Sequence, residues 1–321
     1  MSKLIIKTTA IVLLHVATIT SAGTDVYGLF VGIDYRPWHG SLGLRYDQAA
    51  EDLYNAFSDN VANFQGIVAP ITGTKVTREQ MWHDVGPLYK RMDSDDILVV
   101  YMGGHGGQGI YNDSETDGWD ECISLSNDGS SYWYDDDMFE LLNELGVTWR
   151  GASTWILLDS CYSGGFWGDN NPGDLGDLEK LTRWLDDPGF VGLLASAPED
   201  GLGYARVAGY GYLTQVLCDA LDRDLWGYSP ASGDDKVVTW NELVDYVQSD
   251  SAIQRHLNTV CVTSDVGDPL LLTADMWNPV AFGSGGVSHN LMAAPIPAPG
   301  AIILASMGAC FVGYLRRHAM L

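Results

Sequence analysis

The sequence predicts a three-layer α/β fold in which helices cover both faces of a mostly parallel sheet. Apolar runs without alternation are typical of strands buried on both faces, and four such runs occur at 26–34, 97–102, 154–158 and 191–196. Helical patterns separate them, at about 45–57, 77–92, 136–145, 210–221 and 239–249. Strands alternating with helices favour a parallel sheet, and ligands bind such sheets beyond the carboxyl ends of the strands.

The composition is that of an acidic, globular protein. Among 321 residues there are 17 Lys and Arg against 42 Asp and Glu, which gives a net charge of −25, and 46% of the residues are hydrophobic. A chain this acidic repels nucleic acids and anionic lipids, and its apolar content excludes a disordered chain. The five cysteines form no Cys-x-x-Cys pair, so neither a disulfide framework nor a thiolate zinc site is predicted.

Both ends of the chain have the features of targeting segments. Residues 1–22 combine two lysines, an apolar stretch and small residues, which predicts a secretory signal peptide cleaved near Ala22. Residues 295–321 combine a Pro-Ala-Pro-Gly core, an apolar segment and two arginines. This end resembles the PEP-CTERM sorting signal of bacteria, which implies an exosortase-type processing enzyme as a partner. It also implies transient membrane anchoring on the way to the cell envelope, the surface or the medium. A permanent single-pass anchor is the alternative.

Between these ends the sequence predicts one domain. Residues 24–275 contain no internal repeat and no Pro/Ser-rich linker, which favours a single folded unit. Residues 276–294 are expected to be a linker.

A histidine and a cysteine follow two of the buried runs. His105 lies among the glycines of 103–107, and Cys161 follows Asp159 in a segment that ends in Gly164 and Gly165. Parallel neighbours would place both at one sheet edge, where an imidazole can activate a thiol as a nucleophile. The N–H groups of Gly106 and Cys161 are candidate donors to an oxyanion.

The spacing of the two residues favours catalysis over a structural role. A lone cysteine is usually a small core hydrophobe, and a histidine in a glycine-rich turn is often structural. The spacing from His105 to Cys161, 161 − 105 = 56 residues, is close to the caspase-type order of His then Cys about 50 residues later. The sequence therefore predicts a cysteine hydrolase.

The segments around these two residues resemble the signature segments of bacterial metacaspases, or orthocaspases, which are peptidases of clan CD and family C14. The resemblance rests on 99–107 and 157–164 and extends along most of 26–222. It implies a caspase-like sheet, a His105/Cys161 dyad and cleavage of protein or peptide substrates after Arg or Lys.

The resemblance also implies a basic-selective S1 pocket made by Asp47 and Asp159. Two carboxylates in a cleft would bind one guanidinium or ammonium group, although Asp159 alone also fits a loop-capping role. Gly103 and Leu44 stand where the family has Ser and Cys, which removes polar lining from the pocket.

An acidic segment surrounds the histidine. Residues 93–149 contain fourteen Asp and Glu and neither Lys nor Arg. Such density supplies the oxygens that calcium prefers, while a solvated acidic surface is the alternative. Many metacaspases are activated by calcium, and the resemblance implies a set of four ligands: Asp120, Asp136, Asp137 and Asp169. No organic cofactor is expected.

The resemblance implies self-cleavage as well, after Lys180 or Arg183 in the loop-like segment 166–189. The full prediction is an exported, monomeric, Arg/Lys-specific cysteine endopeptidase that calcium activates. Two alternatives remain: a catalytically inactive caspase-like module that binds a partner at the surface, and a structural envelope protein, which rests on the sorting signal alone.

Overall fold

A six-stranded sheet forms the centre of the computed structural model. The strands in chain order are β1 (Val26–Ile33), β2 (Ile71–Gly73), β3 (Ile97–Gly103), β4 (Gly106–Gly109), β5 (Asp120–Ser124), β6 (Tyr132–Tyr134), β7 (Ser153–Asp159), β8 (Val191–Ala195), β9 (Ala205–Arg206), β10 (Val237–Val238), β11 (Cys261–Thr263), β12 (Leu270–Leu271), β13 (Val280–Gly283) and β14 (Leu291–Met292). The central order is β13-β8-β7-β3-β1-β2, and all neighbours are parallel except β13 with β8.

The structure describes seventeen stretches of the chain. They are 24–36, 43–65, 71–73, 75–89, 91–109, 120–144, 152–167, 191–197, 203, 205–206, 209–223, 228–232, 237–249, 261–263, 270–271, 279–283 and 291–292. The predicted signal peptide (1–22) and sorting segment (295–321) lie outside these residues. Within the described stretches, no helix has the length and apolar character to cross a membrane.

Five helices accompany the sheet in the described residues. They are α1 (Tyr46–Asn60), α2 (Arg78–Tyr89), α3 (Asp135–Glu144), α4 (Tyr212–Leu221) and α5 (Trp240–Val247). Helix α1 packs against β1, β2, β3 and α4, and α4 packs against β7 and α5. Every residue of β1, β3 and β7 is buried, so both faces of the sheet are covered. The predicted α/β architecture is therefore confirmed.

Aromatic side chains fill the layer between the sheet and α1, α4 and α5. Phe30 of β1 contacts the rings of Tyr54 and Phe57 of α1 at centroid distances of 5.8 and 5.6 Å. Trp155 of β7 meets Trp240 of α5 edge-on at 5.4 Å. Such pairs add about 0.5–1.5 kcal/mol each beyond the area that they bury, and they hold the helices over the strands that carry the site.

Two parts of the fold differ from the sequence prediction. Residues 276–294 are predicted to be a linker, but Val280–Gly283 is an antiparallel edge strand paired with β8. The run is only four residues long and apolar at three of them, so nothing in its pattern distinguishes it from a linker. The second difference is a small antiparallel sheet, β4-β5-β6, which follows His105. Its first strand is Gly-Gly-Gln-Gly, a sequence with low strand propensity.

Candidate active site

The register of β3 and β7 brings the histidine and the cysteine together. Ile97 pairs with Ser153 and Gly103 with Asp159, an offset of 56 residues along the whole ladder. The Gly104 N–H donates to the Asp159 carbonyl at 3.3 Å, which continues the contact past the strand ends. His105 and Cys161 have the same offset of 56. They are therefore neighbours in register at the carboxyl edge of the sheet.

Gly106 closes the space between the two loops. A Cβ atom at this position would collide with the carbonyl oxygen of Cys161 and would lie 3.0 Å from its nitrogen. Only a glycine allows this close approach. The two predicted oxyanion donors, the N–H groups of Gly106 and Cys161, thus belong to backbone segments in direct contact.

Cys161 lies in a tight turn that immobilises its sulfur. The residue is 3% exposed, and Tyr162 after it has the left-handed φ of 58°, which is rare for a residue with a Cβ. The Ser160 carbonyl accepts hydrogen bonds from the hydroxyls of Ser163 at 2.9 Å and Ser196 at 2.7 Å. These contacts hold the turn in its unfavourable conformation.

The Cys161 sulfur accepts a backbone hydrogen bond that the sequence did not predict. The Gly203 N–H donates to Sγ at 3.1 Å. The thiol in turn donates to the Gly203 carbonyl at 3.8 Å. The N–H contact favours the thiolate and the carbonyl contact favours the thiol, so the two contacts together fix the position of the sulfur beside Gly203. Gly203 is 42 residues from Cys161 in the chain, and only the glycines at 201 and 203 hinted at a close backbone approach.

Tyr35 fixes the position of His105. Its ring contacts the imidazole edge-on, with centroids 4.4 Å apart. Its hydroxyl accepts the backbone N–H of His105 at 3.1 Å. The same hydroxyl donates to the Ser124 carbonyl at 2.8 Å, while the Ser124 N–H donates to the His105 carbonyl at 2.8 Å. The fully buried Tyr35 therefore ties the end of β1 to the histidine loop and to β5. The sequence prediction did not include it.

Asp159, one of the two predicted S1 carboxylates, is enclosed. It is 1% exposed, and its Oδ2 accepts the Thr214 N–H at 2.8 Å and the Thr214 hydroxyl at 2.5 Å. Tyr101 completes the chain at 2.7 Å from the Thr214 hydroxyl. Burial raises the pKa of Asp159 to about 6, against the opposing effect of the Thr214 hydrogen bonds.

The second oxygen of Asp159 is covered by backbone. Its Oδ1 is buried and has no hydrogen-bond partner in the described structure, and a Cβ at Gly211 would collide with the carboxylate. Two positions before Gly211, the carbonyl of Gly209 accepts the Arg45 N–H at 2.6 Å. Segment 209–211 therefore connects Asp159 to the residues around Asp47.

Asp47, the other predicted S1 carboxylate, is already paired. The guanidinium of Arg45 binds it with two parallel contacts, Nε to Oδ1 at 2.9 Å and Nη2 to Oδ2 at 3.0 Å. Arg36 lies 4.0 Å from Asp47 Oδ2 and is itself bound to Asp34. The side chain of Asp47 is 15% exposed.

The two departures in this pocket have different structural consequences. Leu44 is fully buried in the core. Gly103 faces Tyr46 of α1, whose Cδ1 would lie 2.6 Å from a Cβ at position 103. The Tyr46 ring thus occupies the space that a side chain at Gly103 would take.

Three of the four predicted calcium ligands lie in the described stretches, and they do not form a group whose oxygens all lie within 4.8 Å of one another. Asp137 accepts the Tyr134 N–H at 2.8 Å and pairs with Arg78 at 2.5 Å, whereas Asp136 is exposed and Asp120 is buried. Within the described stretches, the group of three acidic residues whose oxygens approach within 4.8 Å is Asp93, Asp95 and Asp96. The calcium site therefore stays a prediction.

Three predicted residues cannot be placed. Asp169, Lys180 and Arg183 lie outside the described residues.

Two further cysteines of the described structure are unsuited to catalysis. Cys122 and Cys218 are free thiols. Burial raises the pKa of each to about 12, and nearby carboxylates add to the effect. Both stay protonated at neutral pH, so neither is a candidate for a thiolate nucleophile.

The fold and this edge of the sheet define an α/β domain that holds a histidine and a cysteine beyond the carboxyl ends of two neighbouring parallel strands. Residues 28–168 match the family model of the metacaspase, peptidase C14 domain, a segment that runs from β1 past the turn after Cys161. No curated protein matches the sequence. Among solved structures, the crystal structure of protein GSU0716 from Geobacter sulfurreducens is 19% identical, with 86% of this chain and 96% of that chain covered and a TM-score of 0.49.

Proposed function

We propose that the protein is an exported cysteine endopeptidase that cleaves after Arg or Lys through His105 and Cys161. The observation that carries the proposal is the shared offset of 56 residues, which makes the two residues neighbours at the end of paired parallel strands. The match of residues 28–168 to the peptidase C14 domain supports the reaction class.

The reaction follows from the residues at this edge. Cys161 Sγ attacks the scissile carbonyl carbon while the His105 imidazole takes the thiol proton. The resulting oxyanion accepts hydrogen bonds from the N–H groups of Gly106 and Cys161. Collapse of this intermediate breaks the C–N bond, and His105 returns the proton to the leaving amine. Water then hydrolyses the thioester, which releases the acid and restores the thiol.

Asp159 and Asp47 support selectivity for a basic side chain. Asp159 is a buried carboxylate with an unpartnered oxygen, and such a group favours an incoming cation. Asp47 already binds a guanidinium in two-point geometry, which demonstrates that its surroundings suit that chemical group. A substrate Arg or Lys side chain would reach both carboxylates only after the backbone at Gly211 moves off Asp159 and Arg45 leaves Asp47. An acidic side chain would be repelled by both carboxylates.

Calcium activation remains a proposal that requires rearrangement of the acidic segment. Asp137 would have to exchange its contact with Arg78 for the ion. Peptide hydrolysis measured in calcium and in excess chelator tests this directly: we expect at least tenfold higher activity in calcium. Equal rates in both would leave the acidic segment as a solvated surface.

Self-processing and export are tested by mapping the ends of the protein. Incubated enzyme should yield fragments whose new N-terminus follows Lys180 or Arg183, and Cys161→Ala should not. Protein recovered from the native host should begin near residue 23 and lack residues 295–321. An intact band over time, or an uncleaved N-terminus, would contradict the respective proposal.

The decisive activity test uses fluorogenic peptides that end in Arg, Lys or Asp. We expect hydrolysis of the Arg and Lys peptides, lost in Cys161→Ala and His105→Ala and retained in the matched control Cys122→Ala. Hydrolysis after Asp would overturn the predicted pocket. If Cys161→Ala and the unaltered enzyme were equally active, the dyad would be wrong, and a complete lack of hydrolysis would favour the binding module.

A further inference from the structure

Arg45 has an unusual place for a charged residue, because it is fixed by backbone as well as by its side chain. Its N–H donates to the Gly209 carbonyl at 2.6 Å, and it forms a β-bridge with Asp34. Its side chain, which is 27% exposed, turns back onto Asp47 two residues later. The guanidinium is therefore presented to Asp47 by a rigid piece of chain.

The contact between Arg45 and Asp47 is the one that a substrate arginine would make. Both oxygens of the carboxylate are engaged, at 2.9 and 3.0 Å, in the parallel fork typical of guanidinium recognition. Arg36 approaches the same carboxylate, but only to 4.0 Å, because its guanidinium donates two hydrogen bonds to Asp34. Asp47 thus has one intramolecular ligand in the two-point geometry.

We propose that Arg45 is an internal competitor for the substrate's basic side chain. The inference rests on the proposed function, since it takes Asp47 as part of the S1 pocket. A substrate Arg or Lys gains Asp47 only when the Arg45 guanidinium leaves it. Arg45 therefore weakens the apparent affinity for all basic substrates. The intrinsic affinity is multiplied by the fraction of molecules in which Asp47 is free of Arg45.

Competition has a quantitative signature that direct recognition lacks. An internal ligand that must leave first reduces the affinity for Arg and for Lys peptides by the same factor. A residue that contacted the substrate side chain would change the affinities for Arg and Lys peptides by different factors. The planar guanidinium fork of Arg and the compact ammonium charge of Lys bind such a residue differently. A partly exposed Arg–carboxylate pair contributes modestly, which corresponds to a factor of about five.

The kinetic test compares Arg45→Gln with two matched charge changes. Arg36→Gln removes the same charge beside the same carboxylate, and Arg91→Gln removes it at an exposed position bound to Gln65. We expect Arg45→Gln to lower KM by about fivefold for Arg and Lys peptides alike, with kcat within about twofold. Arg91→Gln should leave KM unchanged, and Arg36→Gln should lower it by less than about twofold. Equal effects of Arg36→Gln and Arg45→Gln would indicate local charge and overturn the proposal, as would an unchanged KM in Arg45→Gln.

A binding test separates this inference from the proposed peptidase activity. Titration calorimetry with benzamidine uses full-length Cys161→Ala, with and without Arg45→Gln, so no turnover is needed. We expect about fivefold tighter binding in the double variant, and no effect of Arg45→Gln when Asp47→Asn is also present. Tighter binding without hydrolysis by the unaltered enzyme would reject the peptidase but keep the site. Hydrolysis without any change in benzamidine affinity would reject the role of Arg45, provided that circular dichroism shows the variants folded.

Discussion

His105 owes its position to a hydroxyl on another strand. The Tyr35 Oη accepts the backbone N–H of His105 and donates to the Ser124 carbonyl. The backbone N–H of Ser124, at the end of β5, in turn donates to the His105 carbonyl. This closed set of contacts joins three segments that are far apart in the sequence. In the proposed reaction the imidazole must be held within a fraction of an ångström of its partner to work efficiently, and Tyr35 contributes to this through its ring contact with the imidazole and its hydrogen bond to the backbone of His105.

Tyr35→Phe removes this hydroxyl and keeps the ring. The buried Ser124 carbonyl and the His105 N–H lose their partner, so we expect kcat to fall about tenfold while KM changes little. The pH profile of kcat should also change, since the backbone of His105 loses an anchor even though the ring contact with the imidazole is kept. Tyr54→Phe is the matched control, because it also removes a tyrosine hydroxyl and Tyr54 contacts Phe30 of β1 through its ring. An unchanged kcat in folded Tyr35→Phe would contradict the positioning role.

The raised pKa of Asp159 predicts how substrate binding depends on pH. Burial raises its pKa to about 6, while the Thr214 hydrogen bonds oppose the shift; Tyr101 and Cys218 lie close enough to feel its charge. Below about pH 6 the carboxyl becomes neutral and loses its attraction for a cation. We expect KM for Arg peptides to rise as the pH falls through 6. A KM that stays flat across this range, or an identical rise in Asp159→Asn, would contradict the assignment.

The raised pKa of Asp159 has an opposite pH dependence for folding stability: acid pH weakens the binding of a cation but favours the folded state. Because the folded pKa of about 6 lies above the ordinary value of 3.8, folded Asp159 keeps its proton at pH values where the unfolded chain has lost it. Its contribution to stability is therefore complete below about pH 4 and is lost as the pH rises through 6. Buried Asp96 behaves alike, with a pKa raised to about 6 by burial.

The strands and the site residues differ in how well the sequence predicts them. The strands β1, β3 and β7 were predictable because all their residues are buried, which requires continuous apolar runs. The same runs predict His105 and Cys161 at one edge of the sheet. Tyr35, Gly203 and Arg45 were not predictable as parts of the site, because their roles depend on contacts between distant segments rather than on a pattern.

The start of α4 depends on a glycine beside a carboxylate. Gly211 has φ −56° and ψ 145°, which alanine adopts freely, but its Cβ would collide with Asp159. We expect Gly211→Ala to lower the free energy of unfolding by about 2 kcal/mol and to reduce activity on Arg and Lys peptides. Gly86→Ala, in α2 where a Cβ meets nothing beyond its chain neighbours, should change it by less than about 1 kcal/mol, because the gain in helix propensity is opposed by the restriction before Pro87. Urea unfolding measures both, and equal stabilities would contradict the crowding at Gly211.

At the scale of the whole molecule, the sheet extends beyond the domain boundary that the sequence suggested. Strand β13 covers the edge of β8, and Val237–Val238 pairs with Leu291–Met292. Strands of two or four residues are too short to show a hydrophobic pattern in the sequence. They form because they pair with the edges of neighbouring strands. The segment 276–294 thus contributes to the fold in addition to linking it to the C-terminal end.

A chain that ends at residue 275 should be less stable than one that ends at 294. Without β13 the backbone groups of β8 are exposed as a free edge, which promotes pairing with other chains. We expect a melting temperature lower by about 5 °C or more and concentration-dependent aggregation. Equal melting temperatures of the two chains would show that β13 contributes nothing to the sheet.

The central claim is that Cys161, activated by His105, is the nucleophile of this molecule. Labelling with an arginyl chloromethyl ketone, followed by peptide mass spectrometry, tests it directly, because the reagent alkylates an activated thiolate that accepts an arginine. We predict modification of Cys161 alone among Cys122, Cys161 and Cys218, with loss of labelling in His105→Ala. Labelling of Cys122 or Cys218 instead, or labelling of Cys161 that is as fast in His105→Ala, would contradict the claim.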